Sequence, residues 1–238
     1  MLLLFFAAGA AAQDKVTREM FAYAGRQREF FLYVPDTVRS DSPAPLLVAL
    51  HGSGRDGASL VNPWKGLARK EGIIVVGPNA FDKAMWDFKT EGPDFFEALV
   101  NAISAKHPVD SRRMYLFGHS AGAIQSLMIG LLEAEYFAAV AVHAGALPKE
   151  SWDLIDHADR KIPMAIWVGT NDRFFPLAAV SATKTALEAK GIPVHVRPIS
   201  NHDHNYYQRS GDVNLEAWTF LKAFKLDSEP KFKRYETK

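Results

Sequence analysis

Three residue types that together perform acyl transfer are spread along this chain. A serine lies in Gly118-His-Ser120-Ala-Gly122, an aspartate in Gly169-Thr-Asn-Asp172, and two histidines in Ser200-Asn-His202-Asp-His204. A serine hydroxyl attacks a carbonyl well only when an imidazole takes its proton, and the imidazole needs a carboxylate to hold its tautomer. The G-x-S-x-G spacing fits a nucleophile at the tip of a sharp strand-to-helix turn. Its glycines leave room for the strand and helix to approach, and the serine sits in strained backbone. The N–H of Ala121 then opens the following helix, where it can stabilise a developing oxyanion.

The elements around this turn have the required form. Met114–Phe117 is a short apolar run that reads as a buried strand, and Ala123 to Glu133 carries apolar residues at helical spacing. Asp172 follows the apolar run Pro163–Val168 through a short turn, so it falls at the same carboxyl edge of a parallel sheet as Ser120, where reacting groups collect. A turn aspartate bonding its own backbone is the competing role. Asp153, Asp156 and Asp159 are rival acids, but they precede the strand in a polar connection. Both His202 and His204 follow the run Val194–Ile199, and either can reach the serine from there. The His-x-His pair also invites a metal reading. It lacks a third ligand in a matching motif, so no metal is expected. His51, His119 and His143 are read as strand-end residues near the site. The turn His51-Gly52-Ser53-Gly54 follows the run Leu46–Leu50, and Ser53 is assigned as the second oxyanion N–H donor beside Ala121.

The rest of the chain alternates strands and helices. Glu19–Ala24 and Arg28–Val34 read as an antiparallel hairpin around Gly25-Arg-Gln. Further strands are Ile73–Val76 and Phe137–Val142, and helices are expected over Ser59–Lys70, Asp94–Lys106, Leu177–Lys190 and Leu215–Lys225. Near-continuous apolar strands alternating with helices imply an α/β fold, a mostly parallel central sheet covered by helices on both faces. Trp86, Phe174, Phe175 and Tyr206 fall in expected loops, where they can line an acyl or aromatic pocket.

The length of 238 residues suits one large domain, over residues 13–238. Net charge is +1 with mixed signs, which gives no nucleic-acid or membrane-surface signature; the basic tail Lys231–Arg234 reads as a solvated terminus. The absence of cysteine excludes a thiolate nucleophile and a disulfide framework. Met1–Ala12 is apolar but too short to span a bilayer, and reads as the remnant of a secretory signal cleaved before Gln13. Secretion or periplasmic export is the expectation, with the cytoplasm as the alternative. Nothing in the sequence specifies an oligomeric state.

Leu50-His-Gly-Ser-Gly-Arg-Asp-Gly57, the Gly118–Gly122 turn and Gly169-Thr-Asn-Asp172 together resemble the α/β-hydrolase superfamily. More narrowly they resemble its polyhydroxybutyrate-depolymerase-like and feruloyl-esterase-like serine esterases. Asp203-His204-Asn205-Tyr206-Tyr207 resembles the segment carrying the catalytic histidine in the esterase D and S-formylglutathione hydrolase branch, and this selects His204 over His202. Polymer-active depolymerases usually carry cysteines, absent here, so their substrate class is not carried over. The resemblance implies a carboxylic-ester hydrolase with a Ser120–His204–Asp172 triad, an acyl-enzyme intermediate, a small or accessible ester substrate and no cofactor. A serine peptidase of the same fold, or a non-catalytic binding module, is the alternative.

Overall fold

The computed structural model describes residues 15–233. The expected leader and its cleavage before Gln13 lie outside the described residues, as does Arg234 of the basic tail. In chain order the elements are β1 (Thr17–Tyr23), β2 (Arg26–Tyr33), β3 (Ala44–Leu50), α1 (Ala58–Glu71), β4 (Ile74–Pro78) and α2 (Pro93–Ser104). They continue with β5 (Val109–His119), α3 (Ala121–Leu132), β6 (Ala139–His143), a 3-10 segment (Lys149–His157), β7 (Met164–Gly169), α4 (Leu177–Glu188), β8 (Val194–Ile199) and α5 (Tyr206–Leu221).

The strands form one eight-stranded sheet in the order β1-β2-β4-β3-β5-β6-β7-β8. β1 pairs antiparallel with β2, and β2 antiparallel with β4. From β4 to β8 every pairing is parallel. Alternate residues of each parallel strand enter opposite cores. Leu46, Val48 and Leu50 of β3 join the core under α2, α3 and α4, while Leu47 and Ala49 join the core under α1 and α5. Strands buried on both faces need apolar residues at every position, which is why they read as unbroken apolar runs.

Three boundaries and the chain after the last helix differ most from expectation, each for a local reason. The hairpin turns at Ala24–Gly25, not Gly25–Gln27, because both residues take positive φ (49° and 72°) in a two-residue turn that pairs Tyr23 with Arg26. β5 extends back from Met114 to Val109, and its half-buried first part reaches Ala44 of β3 past a register shift. α5 begins at Tyr206 instead of Leu215. Asn205 caps it by accepting from the Tyr207 N–H (3.2 Å), and its buried stripe runs from Tyr206 through Val213, Ala217 and Leu221. The chain after α5 is not simply solvated. The Lys231 N–H donates to the Glu135 carbonyl (3.1 Å), the Phe232 ring packs edge-on against Tyr136, and the Lys233 N–H donates to Glu133 Oε2 (3.0 Å).

Candidate active site

Ser120 stands between the last residue of β5 and the first of α3, with φ 57° and ψ −119°. A non-glycine residue holds such a conformation only when its surroundings enforce it. Here they do so by close packing of bare backbone. A Cβ on Gly118 would lie 2.2 Å from the Gly122 carbonyl oxygen, and the Ser120 N–H donates to the His143 carbonyl at the end of β6 (3.2 Å). The hydroxyl therefore projects at the carboxyl edge of the sheet.

The loops after β7 and β8 interlock beside it. The Asn171 N–H donates to the His202 carbonyl (2.9 Å), and a Cβ on Gly169 would meet that same oxygen at 2.1 Å. Asp172 is buried and divides its oxygens between two tasks. Oδ1 accepts from the N–H groups of Phe174 and Phe175, both at 2.9 Å, while Oδ2 lies 2.9 Å from His204 Nδ1. Both readings of this aspartate, turn former and histidine partner, are thus met by one carboxylate. His204 Nε2 lies 2.9 Å from Ser120 Oγ. A carboxylate can only accept, so Nδ1 carries the proton and Nε2 accepts from the serine hydroxyl. Phe175 stacks on the imidazole (centroids 5.8 Å, interplanar 13°), and Phe174 approaches it at 4.8 Å.

His202 does not share this arrangement. Its ring is buried edge-on against His143 (5.3 Å), while His204 turns toward Ser120, so the His-x-His pair does not converge on a point. Among the described residues no group of histidines and carboxylates is placed to hold a metal ion. Of the rival acids, Asp156 pairs with Lys190 and Asp159 with Lys233, and Asp153 lies with Asp156 on the 3-10 segment.

His119 and His143 form the floor of the site. Their rings lie 5.3 Å apart, and His119 is 4.9 Å from His204. Burial, followed by the neighbouring imidazoles, pushes His119 down to about 4 and His143 to about 2. Both are neutral near pH 7, so they place no positive charge under His204. Tyr206 completes this floor. It is fully buried, stacks on His119 (5.5 Å, 26°) and donates its hydroxyl to Asn214 Oδ1 (2.6 Å). The expectation that it lines a pocket is therefore corrected. It falls in the first turn of α5 and faces inward, and its neighbour Tyr207 faces the cleft.

The turn after β3 is held from one side by the β4–α2 connection. The Trp86 Nε1–H donates to the His51 carbonyl (2.9 Å) with the rings 4.9 Å apart, and the Gly54 N–H donates to the Lys83 carbonyl (2.6 Å). His51 Nε2 accepts from the Ala80 N–H (3.1 Å), so its Nδ1–H donates to the Gly52 carbonyl (2.9 Å). Burial holds this imidazole's pKa below its ordinary value, consistent with that neutral tautomer. Trp86 is thus a brace behind the turn and does not line the cleft beside Ser120. The connection is itself anchored by the buried carboxylate of Glu91. It pairs with Arg28 and accepts from the N–H groups of Phe81 and Asp87 (3.2 Å each). Sequence reasoning missed this anchor, because its partners stand far apart in the chain.

A cleft of about 460 Å³ opens over Ser120. Gly52, Ser53, Arg55, His119, Phe174, His204 and Tyr207 contribute to its walls. A second, of about 650 Å³, adjoins it past Phe174, which is 75% exposed and faces both. Phe175 packs against the core and His204 instead. Tyr207 and Arg55 were not anticipated. The tyrosine doublet was legible, but which ring faced outward depended on where α5 began.

The chain is similar to several known proteins. It is 29% identical over 127 residues to a probable feruloyl esterase C of Aspergillus oryzae, covering 50% of this chain and 47% of that one. It is 28% identical over 152 residues to the bifunctional acetylxylan esterase/xylanase XynS20E of Neocallimastix patriciarum, covering 62% of this chain and 22% of that one. The matches thus span about half or less of these relatives' own length. A solved ferulic acid esterase superposes with a TM-score of 0.72 at 17% identity, covering 88% of this chain and 98% of that one. At that identity the likeness is one of fold. The esterase family model matches residues 22–222, from within β1 to just past α5, and the chain belongs to the esterase family.

Proposed function

We propose that the protein is a serine carboxylic-ester hydrolase that works through an acyl-enzyme. The observation that carries this reading is the bridging imidazole of His204, 2.9 Å from Ser120 Oγ on one side and 2.9 Å from Asp172 Oδ2 on the other. In the proposed reaction Nε2 removes the hydroxyl proton as Oγ attacks the ester carbonyl, and Asp172 stabilises the imidazolium. The N–H groups of Ser53 and Ala121 receive the tetrahedral oxyanion. Among the described residues the neighbouring Gly54 and Arg55 N–H groups already donate to carbonyls, which supports Ser53 as the donor from this turn. The imidazolium then protonates the leaving alcohol, the C–O bond breaks, and the acyl group remains on Oγ. Water, deprotonated by His204, attacks the acyl carbon and releases the acid with Ser120 restored.

The family and the names of its relatives support an ester over an amide. The open cleft supports a small or accessible ester. The reading also takes residues 13–238 as one domain and Met1–Ala12 as an export leader. A mature N-terminus at Gln13 in protein recovered from the native host's medium or periplasm is the expected result, and an intact Met1 found only in the cytosol overturns the export reading.

Chromogenic esters and aminoacyl amides assayed side by side test the activity. Ester turnover that falls on the order of a thousandfold or more in Ser120→Ala is expected, because triad members act as a unit. A phosphonate probe should label the wild-type protein on the peptide containing Ser120. Retention of a tenth of the activity in Ser120→Ala removes that serine from the nucleophile role, and preferential amide cleavage favours a peptidase.

A further inference from the structure

We propose that Arg55 forms a subsite for a carboxylate carried by the ester, which deepens the hydrolase reading above and rests on it. Arg55 follows directly on the turn that carries Ser53. Its N–H donates to the Gly52 carbonyl (3.2 Å), which ties its backbone to that turn. Its guanidinium lies 4.9 Å from the centroid of the Tyr207 ring. Both side chains line the cleft of about 460 Å³ that also holds Ser120 and His204. The ring belongs to the capped first turn of α5, so the face that holds the guanidinium is fixed. Stacking on a ring face leaves the N–H edge of a guanidinium free, and that edge matches a carboxylate bidentately.

The carboxylates around Arg55 are already engaged elsewhere. Asp56 Oδ1 accepts from the Ser59 N–H at the start of α1 (3.0 Å). Asp172 is shared between His204 and two backbone N–H groups. Asp203, the remaining acid of the cleft wall, accepts from the Asn205 N–H through Oδ1 (2.8 Å). Among the described residues no carboxylate forms an ion pair with Arg55. The charge is felt at the floor of the site: burial is the main cause that lowers His119, and Arg55 is among the lesser ones. Exposed Arg173 adds a second cation to the wall of the adjoining cleft. The walls of the two clefts together carry two guanidiniums, Arg55 and Arg173, and two carboxylates, Asp203 and the already engaged Asp172. Recognition of an anion therefore rests on the free edge of Arg55 and not on a net positive field.

The experiment compares matched esters that differ by a carboxylate. On the acyl side these are the 4-nitrophenyl monoester of glutaric acid and 4-nitrophenyl butyrate. On the alcohol side they are 4-acetoxybenzoate and 4-acetoxybenzamide. The readout is the anionic-to-neutral ratio of kcat/KM within each protein, so a general loss of activity in a variant cancels. Wild type should favour the anionic ester on at least one side, and the ratio should fall tenfold or more in Arg55→Gln. Arg55→Lys should give an intermediate ratio, and added salt should lower the ratio more in wild type than in Arg55→Gln. Hydrolysis of the neutral esters with equal ratios in wild type and Arg55→Gln overturns the subsite and leaves the hydrolase reading standing. Failure of wild type to hydrolyse any of the esters, with no phosphonate labelling of Ser120, overturns both.

Discussion

Gly122 rests against the end of β3 so closely that a Cβ added to it would lie 2.0 Å from the Leu50 carbonyl oxygen. Any side chain there must push α3 off the sheet and carry Ser120 with it. Gly122→Ala is therefore expected either to lose folded protein or to lower kcat/KM on the order of a hundredfold, since small misplacements of reacting groups carry large rate penalties. Gly211→Ala in α5 is the control. Its added Cβ meets nothing within 4 Å, and it should gain roughly 0.5–1 kcal/mol from helix propensity. Thermal melting together with ester kinetics separates the two.

His204→Ala should approach the loss of Ser120→Ala, because it removes the group that bridges serine and aspartate. His202→Ala should keep most activity, with about a tenfold change at most through loop geometry. Its carbonyl, which holds the Asn171 N–H, is retained in the variant. An inactive His202→Ala with an active His204→Ala would reverse the assignment.

The pH–rate profile follows from the same geometry. The proposed mechanism requires a neutral imidazole as base, so kcat/KM should rise with pH through one ionisation. The neighbouring His119 and His143 are held down to about 4 and about 2, with burial as the main cause. They remain neutral across that rise and add no second limb. A two-step rise near neutrality, persisting in His157→Asn on the remote 3-10 segment, would count against this account.

Trp86→Phe removes the Nε1–H bond to the His51 carbonyl but keeps a ring against His51, whereas Trp86→Ala removes both. The turn that carries Ser53 should loosen in that order. A fall in kcat of roughly tenfold for alanine, a smaller one for phenylalanine and a modest change in KM are expected, because the oxyanion donor proposed at Ser53 would act mainly on the transition state. A rise in KM with unchanged kcat would instead make Trp86 a substrate contact.

Glu133, buried at the end of α3, has its carboxyl pushed up to about 8, chiefly by burial. Its pKa is higher folded than unfolded, so the folded state binds the extra proton between the two values. Stability should fall as pH rises from the unfolded carboxylate range toward about 8, then level off. Glu133→Gln should remove that decline and raise Tm at alkaline pH by a few degrees, or ~1–2 kcal/mol, with little change in mild acid. Melting curves across pH test it.

The alternation of apolar strands and helices and the glycine-flanked serine were legible because each rests on a short-range rule. A strand buried on both faces must be apolar throughout, as Leu46–Leu50 is. A turn as tight as that around Ser120 must be bare on either side. Asp172 was legible by position, one short turn past the apolar β7.

Other features had no local signal. Trp86 reads from sequence as a loop aromatic, and it became a brace because β4 lies beside β3 in the sheet, which brings its following loop against the turn at His51. Tyr206 and Tyr207 are chemically alike. The start of α5 at Tyr206, capped by Asn205, sends one ring under His119 and the other to the cleft. The same interlocked loops turn His202 into the interior and His204 toward Ser120. Thus the sequence by itself determined which strand ends carry the serine, aspartate and histidine that meet, since burial and backbone sterics act within a few residues. Only the tertiary structure decided which of two neighbouring side chains faces the serine, since that depends on contacts between segments far apart in the chain.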